Sequence, residues 1–251
     1  TGSKPIYGIM DIPHIFVVKD PDSDCYGIIK YLHQKKNPEG CNFEVVHYSG
    51  DHKVINRYKF DYINDKYAYA RPTDYYVDGD KSIILVSSVF NSEKGGDKDI
   101  TAFVSKIEKN KPVIHKELSY SENMKIKKCV FRKNADYNAL EILVYTQVSS
   151  GSYNLIFQPI GLEKIDIYKP YYLPYEKLDN YVKEKIGEKN GYSGGFIERF
   201  IVDDQSNVLV SLKKNVTGFD DDYATSTNPE LIGISYFDIN GKEINGWAYP
   251  Y

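Results

Sequence analysis

Asp20-Pro-Asp-Ser-Asp24 sets three carboxylates at alternate positions, a pattern that could offer hard oxygen ligands to a cation such as calcium. An EF-hand loop needs a glycine and then a bidentate glutamate further on, and Cys25 and Tyr31 stand in those places. Asp and Pro also set tight turns unaided. Asp78-Gly79-Asp80 and Asp203-Asp204 fall at equivalent points between strands. A turn is therefore the expected role of Asp20, Asp22 and Asp24, with calcium binding the competing one and no other cofactor expected.

A second cluster is aromatic. Tyr168, Tyr171, Tyr172 and Tyr175 surround Pro170 and Pro174, and tyrosines give large amphipathic contacts at low entropic cost. These four form the candidate ligand-binding surface, for a protein or a glycan. The competing role for the same rings is to pack an inserted helix onto the rest of the fold. Glycoside hydrolysis would need two carboxylates facing each other across a cleft, and sugar clefts favour indole platforms, whereas Trp247 is the only tryptophan. The expected function is a non-enzymatic binding or scaffold module. The alternative is a carbohydrate-active enzyme, resembling a glycoside hydrolase, with carboxylates at one end of the fold.

Other reactive side chains point to ordinary roles. Asp220, Asp221 and Asp222 sit in a long polar loop with the sequon Asn215-Val-Thr217, and three adjacent carboxylates belong in solvent. Gly191-Tyr-Ser-Gly-Gly195 lacks the spacing of a nucleophile elbow and leads into strands instead of a helix. His14, His33, His47, His52 and His115 never recur at helical spacing or beside a cysteine, as zinc sites usually require. Cys25, Cys41 and Cys129 match no metal-ligand spacing, and their odd number leaves one outside any pairing. No catalytic residue is assigned.

Composition narrows the partners. The 32 Lys and Arg residues are interspersed among 35 acids, for a net charge of -3. No basic face emerges for tracking phosphates, so nucleic acid is not an expected partner. No apolar run approaches the roughly 20 residues that span a bilayer as a helix. The chain opens on Thr1-Gly2-Ser3, which reads as a processed or appended end, and the expectation is an exported protein.

The elements that would position these residues are strands. Asp74-Tyr-Tyr-Val77, Ser82–Phe90, Ile100–Ile107 and Pro112–Leu118 alternate in the strand manner, and the Asp-Gly of the first turn tolerates positive φ. The same four-strand order recurs, giving units at about 14–60, 73–120, 126–169 and 195–250 within a single domain 1–251. The turns before each fourth strand end in Lys53, Lys111, Lys164 and Lys242, about 58, 53 and 78 residues apart, periods suited to β repeats. The long interval holds a helical insertion at about 170–190, where Leu178, Tyr181, Val182 and Ile186 recur at helical spacing and Gly187 or Gly191 can end the helix.

A lone four-stranded meander leaves too much apolar face uncovered, so neighbouring copies must cover one another. In its strand order and closing turns the chain resembles the β-propeller architecture along nearly its whole length. It carries neither the Trp-Asp ending of WD40 repeats nor the paired glycines of kelch repeats. The fold class is thus all-β: four-stranded antiparallel meander repeats in a propeller-like arrangement, with one short inserted helix. A β-sandwich of the same meanders is the alternative.

Overall fold

Strand alternation, reinforced by β-branched and aromatic side chains, governs most of the chain. The computed structural model describes residues 15–31, 43–60, 67, 69–90, 101–118, 120, 124–134, 139–148, 153–187, 191–192, 196–215 and 230–250. Within them lie four four-stranded antiparallel sheets and one short helix, and the fold is all-β as the sequence indicates. Among the described residues no helix is long and apolar enough to cross a membrane. Pro5–Met10, His14, His33, Cys41, Ser193–Gly195, Val216–Thr217 and Asp220–Asp222 lie outside the described residues.

The chain divides into two compact units, Thr1–Tyr120 and Ser121–Tyr251. In the first, β1 (Ile15–Lys19), β2 (Tyr26–Tyr31), β3 (Phe43–Tyr48) and β4 (Val54–Phe60) pair in chain order. So do β5 (Tyr69–Asp78), β6 (Ser82–Phe90), β7 (Thr101–Glu108) and β8 (Ile114–Leu118). Ile29, Phe43, Val45 and Phe60 of one sheet join Val77, Ile83, Leu85 and Phe103 of the other in a single apolar cluster. Each such side chain, fully buried, contributes about 1.5–3 kcal/mol. The sheets close tightly at Gly27, where a Cβ would stand 2.8 Å from Ile83 Cδ1.

The turns of this unit interlock through polar atoms. The Gly79 N–H donates to Asp20 Oδ2 at 3.1 Å, and His47 Nε2 donates to the Gly79 carbonyl at 2.9 Å. Both backbone polar groups of this one turn residue are thereby satisfied from the neighbouring sheet. Burial lowers the His47 pKa, and the bond to Gly79 opposes that shift without cancelling it.

In the second unit, β9 (Met124–Asn134), β10 (Ala139–Val148), β11 (Tyr153–Gly161) and β12 (Tyr171–Leu173) make one sheet. The other contains β13 (Phe196–Val202), β14 (Val208–Asn215), β15 (Glu230–Phe237) and β16 (Glu243–Pro250). Leu143, Tyr145, Leu155 and Phe157 pack with Phe200, Val210, Leu212 and Phe237, and the inserted segment adds Leu178 and Val182. That segment is α1 (Glu176–Tyr181), continued by a π-helical turn, Val182–Ile186. Gly187 ends it in the left-handed conformation at φ 86°, as its sequence position suggests.

Six residues cannot sustain a helix alone, so α1 depends on β16 beneath it. The Glu243 carboxylate accepts the N–H groups of Lys177 at 2.5 Å and Leu178 at 3.2 Å, capping the helix from a distant strand. Gly246 lets the helix settle, since a Cβ there would lie 2.3 Å from the Leu178 nitrogen.

One element departs from the sequence reading. The fourth strand of the third sheet was expected at Ile165–Lys169, but that stretch makes only a single bridge, Ile160 to Ile167. The strand forms at Tyr171–Leu173 instead, with Leu173 opposite Leu155 and Tyr171 opposite Phe157. The cause lies in the turn, where Ile165 adopts φ 55° and the Gly161 N–H reaches the Asp166 carbonyl at 2.9 Å. Chain that would have paired is drawn into a loop. Tyr171 and Tyr172 therefore belong to a strand, and the helical insertion begins after Pro174.

Candidate functional site

The displaced loop borders a cleft of about 530 Å³ in the second unit. Its β-sheet wall is Glu141 on β10 with Phe157, Pro159 and Gly161 on β11. Glu163, Asp166 and Tyr168 of the loop and Tyr171 of β12 edge it. Ser206 and Ile239 close it from turns of the other sheet. None of the described residues lining the cleft is basic.

Glu141 is the unusual member. Facing Arg132 on β9 and Pro159 on β11, it sits among the fully buried Leu140, Ile142, Leu143 and Val144 of its own strand, and is only 5% exposed. Its Oε1 accepts a hydrogen bond from Asn134 Nδ2 at 2.7 Å, and the same amide nitrogen donates to Ser206 Oγ at 3.1 Å. Its Oε2 is buried and has no hydrogen-bond partner among the described residues. Desolvation raises the Glu141 pKa, and the Asn134 bond opposes that shift without cancelling it.

The aromatic edge is held by backbone bonds. The Gln158 side chain donates to the Tyr168 carbonyl, and the Tyr168 N–H donates to Pro159 O at 3.2 Å. The ring itself stays 54% exposed. A Cβ on Gly161 would come within 3.2 Å of the Tyr168 hydroxyl and 3.7 Å of Asp166 Oδ2. Both polar ends thus hang over a backbone that has no side chain to fill the space. Ile165, fully buried, anchors the loop in a left-handed conformation that β-branched residues rarely adopt.

The four tyrosines singled out by sequence separate. Tyr168 and Tyr171 line the cleft. Tyr172 points from the other face of β12, 51% exposed. Tyr175 packs against the core and donates its hydroxyl to the Tyr153 carbonyl at 3.2 Å, and burial pushes its pKa up to about 12. Sequence reasoning missed Glu141, Asn134 and Asp166. The available signal was Leu140-Glu-Ile-Leu-Val144, an acid within an apolar strand.

The acidic turn also separates. Asp20 Oδ1 accepts the Asp22 N–H at 3.2 Å, and its Oδ2 accepts the Ser23 hydroxyl at 2.5 Å as well as Gly79. Asp24 pairs with Lys19 at 2.7 Å, and this exposed contact lowers the Asp24 pKa. Among the described residues no three His, Cys, Asp or Glu side chains gather as a metal site. Asp203 does similar turn work, accepting the Gln205 and Asn207 N–H groups at 2.9 and 2.8 Å. Ser105 Oγ lies 2.8 Å from His115 Nδ1 as a cross-strand pair with the serine fully buried, outside the residues that line the cleft.

No protein-family model matches the chain, and no curated protein does. Among solved structures it is similar to the crystal structure of a member of the DUF4221 family from Bacteroides vulgatus, at 8% identity, across 95% of this chain and 81% of that one, with a TM-score of 0.29.

Proposed function

We propose that the second unit carries a binding module whose cleft takes an uncharged glycan. The observation that carries this reading is the convergence of two tyrosines with carboxyl and amide groups in one cleft, the Tyr168 hydroxyl and Asp166 lying over the bare backbone of Gly161, with no basic residue among the described lining. Tyrosine rings stack on the C–H faces of sugars, and carboxylates accept their hydroxyl hydrogens. The surplus of acid repels phosphate, sulfate and uronate groups. A glycan is favoured over a protein segment because the lining sets fixed polar atoms directly beside the rings, as a sugar's hydroxyls and C–H faces require. We read the four sheets as blades of a propeller, which would present such a cleft beside the turns of adjacent blades.

A glycan array with parallel hydrolysis assays tests the reading. Neutral oligosaccharides are expected to bind without turnover. Replacing both Tyr168 and Tyr171 by Ala is expected to weaken binding at least about tenfold, the loss of about 1.4 kcal/mol, while the melting temperature changes little because Tyr168 is exposed. Absence of any neutral ligand on the array overturns the proposal. Turnover would move the protein to the carbohydrate-active enzymes.

A further inference from the structure

Every buried acid must find donors or keep its proton, and among the described residues Glu141 has found one donor only. We propose that Glu141 meets the ligand as a carboxylic acid, its Oε1 held by Asn134 and its Oε2 hydroxyl donating to an acceptor oxygen of a neutral sugar, the ring or glycosidic oxygen. This rests on the glycan reading of the cleft and adds to it the direction of one hydrogen bond.

The geometry fixes which oxygen does what. Asn134 Nδ2 is a donor, so Oε1 must be the accepting oxygen, which leaves Oε2 to carry the hydrogen. Oε2 is also the atom without a partner among the described residues, on a residue that lines the cleft. Among the described residues, the cations that flank it on β9 are directed elsewhere. Arg132, directly opposite on β9, sends its guanidinium to the carbonyls of Phe131 and Phe200, each at 2.6 Å. Lys133 is paired with Leu140 and falls on the opposite face of the sheet. β11 presents Pro159, β12 presents Tyr171, and the β13–β14 turn presents Ser206, with Asp203 of that turn committed to Asn207, Gln205 and Tyr236. Among the described residues, the titratable groups sharing the cleft are Glu163, Asp166, Tyr168 and Tyr171.

Capture of a sugar through this bond depends on pH in a definite sense. A raised carboxyl pKa means the donor is present in acid and is lost as pH rises through that pKa, so affinity falls by up to about tenfold per pH unit above it. An ionised Glu141 that accepts from a hydroxyl or an ammonium group predicts the reverse.

Calorimetric titration of the tightest neutral oligosaccharide from the array, run from acid to alkaline pH, separates these. Wild-type affinity is expected to fall with rising pH. E141Q, whose amide can accept from Asn134 and donate to the ligand, is expected to hold near acid-limit affinity throughout, and E141A to lose at least about tenfold at every pH. Affinity that rises with pH, or E141Q as weak as E141A, overturns the assignment. Unaltered binding by all Glu141 variants while the Tyr168 and Tyr171 variants fail overturns it and leaves the glycan reading standing. Absence of any bound glycan defeats the glycan reading first, and the ligand-free protein then decides the state of Glu141. In its infrared spectrum at neutral pH, a protonated-carboxyl carbonyl band that disappears in E141Q is expected, and its absence from wild type rejects the inference.

Discussion

Asp20 and Glu141 are both buried acids at sheet ends, 3% and 5% exposed, one in each unit, and they are treated differently. Asp20 accepts from the Asp22 N–H, the Ser23 hydroxyl and the Gly79 N–H, so both its oxygens are engaged by the protein itself. Among the described residues, Glu141 has Asn134 on one oxygen and nothing on the other. A satisfied buried carboxylate specifies a fold, because removing it strands its donors. A half-satisfied one adds little to the fold and stays available to something that arrives later. The same residue chemistry is thus a latch in one unit and a candidate ligand contact in the other.

The largest effect should come from breaking the latch. Asp20→Ala leaves the Gly79 N–H and the Ser23 hydroxyl without their acceptor and removes the tie between two turns. A loss of about 2–4 kcal/mol is expected in the first unit. Trp247, the sole tryptophan, lies on β16 of the second unit and cannot report it. Hydrogen exchange at the Gly79 amide can. Protection there equal to wild type would show that Asp20 is no more structural than Glu141, and the contrast would collapse.

A smaller effect, of opposite sign, is expected from Glu141→Gln on stability. Folding raises the Glu141 pKa, so the folded state binds the proton more tightly than the unfolded chain. The wild type is then best placed below the unfolded carboxyl value and loses stability as pH rises through the folded one. Gln carries no proton to lose. Denaturant melts followed by Trp247 fluorescence should show E141Q and wild type equal in acid, with E141Q ahead by about 1 kcal/mol at the alkaline end. A gap that does not change with pH would mean that Glu141 holds no proton worth counting.

The same contrast explains what was legible in the sequence. Turn chemistry reads well because it is local. His52, Asn110 and Gly241 take positive φ immediately before Lys53, Lys111 and Lys242, so the recurring lysine marks where a left-handed residue reverses the chain. The third turn breaks this rule. Positive φ falls on Ile165, after Lys164, a choice no propensity would make. That slip moved the fourth strand to Tyr171–Leu173 and made the loop that edges the cleft. Tyr168 and Tyr171 were visible because aromatic clusters stand out in sequence. Glu141 was not, because its meaning depends on Asn134, seven residues away, and on Ser206, in another sheet.

The finest distinction lies within one loop. Asp24 stands four residues from Asp20, yet its partner is the exposed Lys19, and exposed pairs contribute little. Asp24→Ala should leave the melting temperature of the first unit unchanged within error. Cations test the loop further. Asp20 spends its oxygens on protein donors and Asp24 spends one on Lys19, so a calcium ion would have to displace existing bonds before gaining ligands. Millimolar calcium is accordingly expected to leave the melting curve in place. A calcium-dependent rise that disappears in Asp22→Asn and Asp24→Asn would return these carboxylates to the ligand role that their alternate spacing first suggests, and would make the first unit the one that waits for a partner.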